Sequence, residues 1–358
     1  MIKRKSGLTT PDAKPEFVFL ASVPDVPELV FRGFRGNEDF PAMHAVIEAS
    51  KKADGRDHSE SLEDLIRNYA HLMNSDPALD VVFAEIEDNV VGYGRVWWRK
   101  EFDGSHIYSH LAFLKPAWRG MGIREAMVRH NEARLHAIAA AHLGETPKSF
   151  ESWASQHETD WTAILEGEGY SAVRYSFEMV RPNLNDVPES PMPAGLEVRP
   201  VCPEQHATIW AAAREAFRDH WGFSEDEWDT ELTSWRESPS YVPDYWQVAW
   251  DGDQVAGMVL NFIDTAENEE NHRLRGYTET ICVRRPWRRR GLARALIARS
   301  LRMLKELGMT EAALGVDADN PHGALQLYES MGYQVVSRQT CYRKPLNEPL
   351  PMKRSHST

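Results

Sequence analysis

The chain has 358 residues, enough for two ordinary domains, and its 42% hydrophobic and 10% aromatic content supplies material for real cores. A formal net charge of -13 disfavours general binding to nucleic acid. The cysteines, Cys202, Cys282 and Cys341, are scattered without a C-x-x-C pair, which argues against a structural zinc site and fits a reducing cytosol. No apolar run approaches the ~18 residues that a membrane span needs, and the basic start M-I-K-R-K-S-G lacks the apolar stretch of a signal peptide. The expectation is a soluble cytoplasmic protein.

Residues 1–28 are polar and interrupted by proline, with Phe17–Leu20 as a short candidate strand. The run Leu29–Phe34 predicts a strand, and Phe40–Ser50 and Leu62–Met73 predict helices. Val81–Ile86, Asp88-Asn89 and Val90–Trp98 read as a β-hairpin. A strand at Ile107–Leu114, a turn over Lys115–Gly122 and a long helix at Ile123–Ala141 follow. Phe150–Trp153 is strand-like, Thr159–Glu166 helical and Ala172–Val180 strand-like. Residues 182–195, with four prolines and no hydrophobic periodicity, read as a linker.

After the linker the same order begins again. Leu196–Val201 is a predicted strand, Ala207–Phe217 and Asp226–Trp235 are predicted helices, and Gln247–Trp250 with Gln254–Phe262 forms a second hairpin. Asp264–Asn271 reads as an acidic loop. The β-branched run Tyr277–Val283 is a strand that turns into an amphipathic helix, with Leu296, Ile297, Leu301, Leu304 and Leu307 at helical spacing. Glu311–Val316, Ala324–Met331 and Gln334–Tyr342 read as strand, helix and strand, and a polar tail closes the chain.

The stretch Val283–Ala295 organises this plan. A helix start leaves backbone N–H groups without intrahelical partners, and with the helix dipole they favour an anion. Gly291 and Ala293 are small enough for a phosphate to approach, and Arg288, Arg289, Arg290 and Arg294 add forked, permanently charged donors. Arg288-Arg289-Arg290-Gly291-Leu292-Ala293 resembles the R/Q-x-x-G-x-G/A signature of the GNAT (Gcn5-related) N-acetyltransferases, in the strand-turn-helix context of that family. The resemblance implies a turn that binds the pyrophosphate of acetyl-CoA. It also implies an α/β fold with a mixed sheet, in two tandem GNAT acyltransferase copies.

The copies are visible in residues. Arg119 and Gly122 fall on Arg288 and Gly291 at the same offset, and Glu166–Tyr170 resembles Glu329–Tyr333. The tandem arrangement is similar to that of the mycothiol synthases. The expected division is a tail to residue 28, a degenerate GNAT-like domain over 29–181, the linker, a catalytic GNAT domain over 196–345 and a polar tail over 346–358.

In the second copy, Asn320 to Tyr328 resembles the family's N-x-x-A-x-x-L-Y motif. The resemblance implies that Tyr328 protonates the leaving thiolate and that Asn320 hydrogen-bonds the coenzyme. The plainer readings are a buried aromatic and a helix cap. Backbone groups of Ile281, Cys282 and Val283 resemble the strand that pairs with the pantetheine arm, which makes Cys282 a wall residue and not a nucleophile. The family often places a Glu base where this chain has Tyr277. Glu279, two residues on and on the same strand face, is either the base or a carboxylate paired with an arginine. The acidic and aromatic segments Phe217–Trp228 and Asp264–Asn271 fit a cationic amine acceptor, or a solvated acidic surface.

The first copy places Arg124 where the family has Gly or Ala, Leu165 where the second copy has Tyr328, and His157 where it has Asn320. Leucine cannot donate a proton, so this copy reads as a retained fold without the chemistry. The implied activity is acetyl-CoA-dependent N-acetyl transfer to a small-molecule amine. The rival is a non-catalytic acyl-CoA-binding sensor or resistance module. Neither nucleic acid nor membrane is an expected partner, no metal is expected, and the oligomeric state is not legible.

Overall fold

The computed structural model describes residues 17–57, 60–320 and 322–346. Residues 1–16 of the expected N-terminal tail, 347–358 of the polar tail, and Pro321 lie outside them. The first half contains β1 (Leu29–Gly33), α1 (Phe40–Ala53), α2 (Leu62–Ala70), α3 (Pro77–Asp80), β2 (Val81–Ile86), β3 (Asn89–Lys100) and β4 (His106–Leu114). It continues with α4 (Ile123–Ala139), β5 (Lys148–Ser155), α5 (Thr159–Gly167) and β6 (Ser171–Arg181). The second half begins with β7 (Glu197–Val198), α6 (His206–Phe217), α7 (Glu225–Arg236), β8 (Gln247–Asp251), β9 (Gln254–Phe262) and α8 (Thr265–Glu270). β10 (Arg275–Val283), α9 (Leu292–Glu306), β11 (Glu311–Asp317), α10 (Ala324–Ser330) and β12 (Gln334–Pro345) complete it.

Three stretches differ from the sequence expectation. Phe17–Leu20 makes one isolated bridge, Phe17 to Arg32, and no strand. The strand expected at Leu196–Val201 shrinks to two residues, paired at the edge of the sheet with β8. The acidic loop Asp264–Asn271 is mostly α8, because the Asp264 carboxylate accepts the Glu267 N–H at 2.9 Å and caps the first turn.

Among the described residues the strands form one twelve-stranded sheet, in the order β1-β2-β3-β4-β5-β12-β6-β11-β10-β9-β8-β7. The last strand of each half therefore lies against the other half. β12 pairs antiparallel with β5 of the first half, from Gln339↔Ser155 to Pro345↔Ser149. β6 pairs antiparallel with β11 of the second, from Ala312↔Arg181 to Asp317↔Ser176. The exchanged strands also pair with each other, which joins the halves in one hydrogen-bonded sheet.

Helices cover both faces because the strands alternate. In β2, Val82, Ala84 and Ile86 join the cluster under α4 and α5, whereas Val81 and Phe83 join the cluster under α1 and α2. In β8, Ala249 faces α9 and α10, whereas Val248 and Trp250 face α6 and α7. α9 buries Leu292, Leu296, Ile297, Leu301 and Leu304 completely or nearly so. Each such side chain contributes about 1.5–3 kcal/mol of apolar burial, so α9 is fixed firmly on β8–β11.

Candidate functional site

The cleft begins where two parallel strands part. β10 and β11 are in register only from Arg275↔Glu311 to Tyr277↔Ala313. Beyond that point β10 carries a bulge: its register against β9 shifts between Glu279 and Cys282, and Thr280 has φ 48°. The extra residue bends the strand away from its parallel neighbour. Among the described residues one side of 281–283 thus has no strand partner, while the other still pairs with β9 through Cys282↔Met258 and Val283↔Gly257. A side chain at Gly257 has no room, since a Cβ there falls 2.7 Å from the Cys282 carbonyl and 3.2 Å from Leu292. This glycine lets the bulged strand and the start of α9 lie close on β9.

The parted strands bound a cleft of about 620 Å³. Glu279, Ile281, Cys282 and Val283 of β10 line it. So do Arg288, Arg289, Gly291, Leu292, Ala293 and Arg294 of the turn and α9. Asn320 and Tyr328 border it from the far side. Of the residues singled out in the sequence, Arg290 lies apart, with Nη2 donating to the Ala194 carbonyl at 2.9 Å.

Gly291 sits at φ 84°, ψ 4°, the left-handed conformation from which α9 starts. No atom lies within 4 Å of where its Cβ would be, so conformation rather than space requires glycine here. The preceding Arg289 is also left-handed, at φ 63°. Arg288 Nε donates to the Val283 carbonyl at 2.9 Å, and Nη1 lies 3.2 Å from His322 Nε2. Arg294 binds the Ser330 hydroxyl at 2.6 Å. Arg284 and Arg285 turn away to Glu215 and Asp219, tying the end of α6 to the turn. The Asn320 side chain accepts from His322 N at 2.9 Å, while Gly323 takes the N-cap position of α10. Asn320 is therefore not the cap of that helix.

Glu279 is half-buried at the floor of the cleft, and its Oε1 accepts the N–H of Gly315, on β11, at 2.8 Å. Burial pushes its carboxyl up to about 7, and the Gly315 bond opposes that shift. No arginine ion pair to Glu279 is present among the described residues. Tyr328 is buried, packed edge-on against Tyr333 at 6.2 Å between centroids. Burial, with smaller contributions from Glu279, Tyr333 and Cys282, keeps its phenol protonated far above neutrality. Burial also pushes the Cys282 thiol up to about 12. It is a poor thiolate at neutral pH, so the residue forms wall.

Tyr277, in the place of the family's Glu, stacks on Phe262 at 4.8 Å and donates its hydroxyl to Glu267. Glu267 also receives Arg273. The acidic segment Asp264–Asn271 thus spends this carboxylate on structure, and none of its residues lines the cleft. The other candidate segment does line it, through Phe217, His220 and Trp228.

Ser176 and Gly315 were not singled out by sequence. Ser176 belongs to the first half and reaches the cleft through the exchanged strand β6, with Oγ donating to the Val316 carbonyl at 3.2 Å. Pairing between strands so far apart leaves no local signal. Gly315 acts through its backbone alone.

The matching region of the first half is filled. Arg124 is 3% exposed and turns inward; its Nε donates to the Ala112 carbonyl at 2.7 Å and its guanidinium lies 4.1 Å from the Trp161 ring centroid. Arg119 is held by both oxygens of Asp54, at 2.6 and 2.8 Å. At Glu279's place stands His110, buried and bonded to the Tyr170 hydroxyl at 2.8 Å. A hollow of only about 200 Å³ remains.

Among the described residues no helix is long and apolar enough to cross a membrane, and no group of three or more His, Cys, Asp or Glu is placed to hold a metal ion. The profile of the acetyltransferase (GNAT) family matches residues 43–145 and 208–333. A mycothiol acetyltransferase of Frankia alni is 28% identical over 237 residues, covering 64% of this chain and 68% of the relative. One of Geodermatophilus obscurus is 25% identical over 310 residues, covering 85% and 93%. A GCN5-related N-acetyltransferase structure from Sphaerobacter thermophilus shares the fold with a TM-score of 0.71 at 24% identity, over 92% of this chain and 99% of that one. A tandem GNAT protein of the clavulanic acid pathway shares it at 0.62 and 15%, over 90% and 100%. Matched in both halves and over more than half of its length, the chain belongs to the GNAT acetyltransferase family and is an N-acetyltransferase with two GNAT-type regions.

Proposed function

We propose that the protein transfers the acetyl group of acetyl-CoA to the amine of a small molecule, and that the reaction runs in the cleft of the second half. One observation carries the reading: the start of α9, the unpaired edge of β10, Glu279 and Tyr328 border a single space. Acetyl-CoA supplies an acetyl group activated as a thioester. The residues present fit it. The open left-handed Gly291 turn and the first N–H groups of α9 suit a pyrophosphate, with Arg288, Arg289 and Arg294 as counter-charges. The free edge of Ile281, Cys282 and Val283 offers backbone groups to an extended amide arm, with Asn320 opposite.

On this reading Glu279 accepts the proton of the acceptor amine. A carboxylate poised near 7 is matched to that task at neutral pH. Tyr328, a phenol held protonated by burial, donates to the departing sulfur. Cys282, held as a thiol, supports direct transfer without an acyl-enzyme. The filled turn around Arg124 supports a degenerate first half, 29–181, beside a catalytic second half, 196–345, across the linker 182–195. The division concerns chemistry, since the sheet is shared. Relatives named for mycothiol support a small acceptor. Three free cysteines support a cytoplasmic location.

Titration calorimetry with coenzyme A tests the reading: one site per chain is expected, lost in Gly291→Glu. Two equal sites, or binding that survives the substitution, overturn the placement. Acetyl-CoA turnover with a pool of amines separates the enzyme from the sensor reading, which binds without turnover.

A further inference from the structure

A primary amine reaches the cleft at neutral pH as an ammonium, since the pKa of a lysine-like amine is ~10.4. Acetyl transfer removes two protons from its nitrogen. The first must leave before the lone pair can attack the thioester carbon. The second leaves after the C–N bond forms, as the C–S bond breaks and its electron pair departs on sulfur. One of the two replaces the proton that sulfur takes, and the other goes to water. Glu279 holds one proton at a time, and its Oε1 already accepts from Gly315 N at 2.8 Å. One proton is thus left without an acceptor.

His220 is placed to take it. It lies in the connection between α6 and α7, half-buried, and lines the cleft together with Glu279 and Tyr328. Its ring packs on Phe217 at 4.3 Å between centroids. Among the described residues neither ring nitrogen has a hydrogen-bond partner, so the lone pair is open to a ligand. The connection is fixed at both ends. Asp219 binds Arg285, in the turn before α9, at 2.5 and 3.2 Å, and the Phe223 carbonyl accepts the N–H of Phe102 at 2.8 Å.

The charges that face the ring come from several elements. Asp219 lies on its own connection, Asp317 on β11, Arg288 in the turn before α9 and His322 just before α10. Arg174 of β6 holds both oxygens of Asp317, at 2.8 and 2.6 Å. Arg99, Glu151 and Glu227 border a side hollow that His220 also lines, and there Arg99 is paired with both carboxylates. Burial lowers the pKa of the ring; Asp317 and Asp219 oppose that shift, and His322 and Arg288 add to it. The net direction is downward, which leaves the imidazole neutral and able to accept a proton at pH 7.

Building on the proposed transferase reading, we infer that His220 is a second catalytic base, which takes the first proton from the acceptor ammonium and hands it to solvent. Glu279 takes the second proton from the nitrogen once the C–N bond has formed, and that proton replaces the one Tyr328 gives to sulfur. One ammonium and one thioester give one amide, one thiol and one proton in water. His220 exposes the nucleophile, and Glu279 completes the transfer.

The test uses the full chain and an amine that turns over in the pool assay. The kcat/KM for that amine is followed from pH 7 to pH 10 in wild type, His220→Gln, His220→Ala and Glu279→Gln. At pH 7 both His220 variants should lose about 10²-fold, the lower end for general base catalysis. Their loss should shrink as pH approaches ~10.4, where the amine sheds its first proton in solution. The loss in Glu279→Gln should persist there, because its proton is the second. Added imidazole should restore His220→Ala at pH 7, and coenzyme A affinity by calorimetry should be unchanged in both His220 variants. A His220→Gln rate within twofold of wild type at pH 7, or a loss of the same size at pH 7 and pH 10, overturns the inference. If His220→Ala misfolds, the pH dependence of His220→Gln decides. Absence of any turnover in wild type sinks the transferase reading and this step with it, whereas turnover with a pH-independent loss sinks this step alone.

Discussion

Glu279 Oε1 accepts the backbone N–H of Gly315 at 2.8 Å, across the gap where β10 and β11 lose their ladder. A side chain thus replaces the strand bond that the bulge at Thr280 removes. The same carboxylate faces the cleft, where burial raises its pKa to about 7. On the proposed reading, holding the strands and serving as a base draw on the same group.

This yields a pH prediction. The folded pKa of Glu279 lies above its ordinary value of 4.5. The folded state therefore binds the proton more tightly, and the stability this group contributes is present at low pH and is lost as pH rises from about 4.5 through about 7. Activity runs the other way, because the base must be ionised; kcat should rise as pH passes about 7. Glu279→Gln should flatten both profiles in this window. An unchanged ascending limb in the pH–rate profile of Glu279→Gln would show that another group is the base.

Arg124→Ala should separate the two halves in function. The side chain is almost wholly buried, bonded to the Ala112 carbonyl and set over Trp161. Its removal leaves that carbonyl without this partner and opens space beside the indole. A loss of about 1–3 kcal/mol is expected from urea unfolding. The coenzyme stoichiometry and kcat should not change. A second coenzyme site in the variant would mean that Arg124 alone blocks the first half.

Much of this was legible because periodic burial and short motifs are local. Leu296, Ile297, Leu301 and Leu304 recur at helical spacing and are all buried in α9. The R-R-R-G-L-A turn was read from residues adjacent in sequence, and the structure sets its glycine at the helix start. It could not be read that Arg290 departs toward Ala194, because every arginine in the run looks alike until the linker is placed. The helix at Thr265–Glu270 carried a usable signal, Asp264 three residues before Glu267, which a plain charge count conceals. The strand exchange had no signal of this kind. Alternation tells which residues lie in β6 and β12, and says nothing of which edge each strand joins.

Tyr328→Phe keeps the ring that packs on Tyr333 and removes one hydroxyl. Loss of general acid catalysis costs ~10²–10⁴ in rate, and a thiolate is a fairly good leaving group, so kcat should fall toward the lower end. Acetyl-CoA affinity should hold, since the hydroxyl matters most as charge builds on sulfur. Turnover within about twofold of wild type would make Tyr328 a core aromatic and put the acid elsewhere.

The exchanged strands make the halves inseparable. A fragment from Gly195 onward lacks β6, and with it the antiparallel partner that β11 meets from Ala312↔Arg181 to Asp317↔Ser176. The same fragment deprives β12 of both neighbours, β5 and β6. β12 is then a bare twelve-residue strand, Gln334–Pro345, and β11 a bare edge. Open edges of this length pair with other copies and aggregate. The buried faces of Cys341 and Tyr342, which now rest between the halves, become exposed as well. Purified alone, the fragment should melt earlier than the full chain or precipitate, as followed by circular dichroism and light scattering. Cutting the chain within residues 182–195 leaves both sheet contacts intact, so the two pieces expressed together should co-purify and keep the coenzyme site. A fragment from Gly195 that stays monomeric and melts with the full chain would mean that the pairing of β6 with β11 contributes little to the stability of the second half.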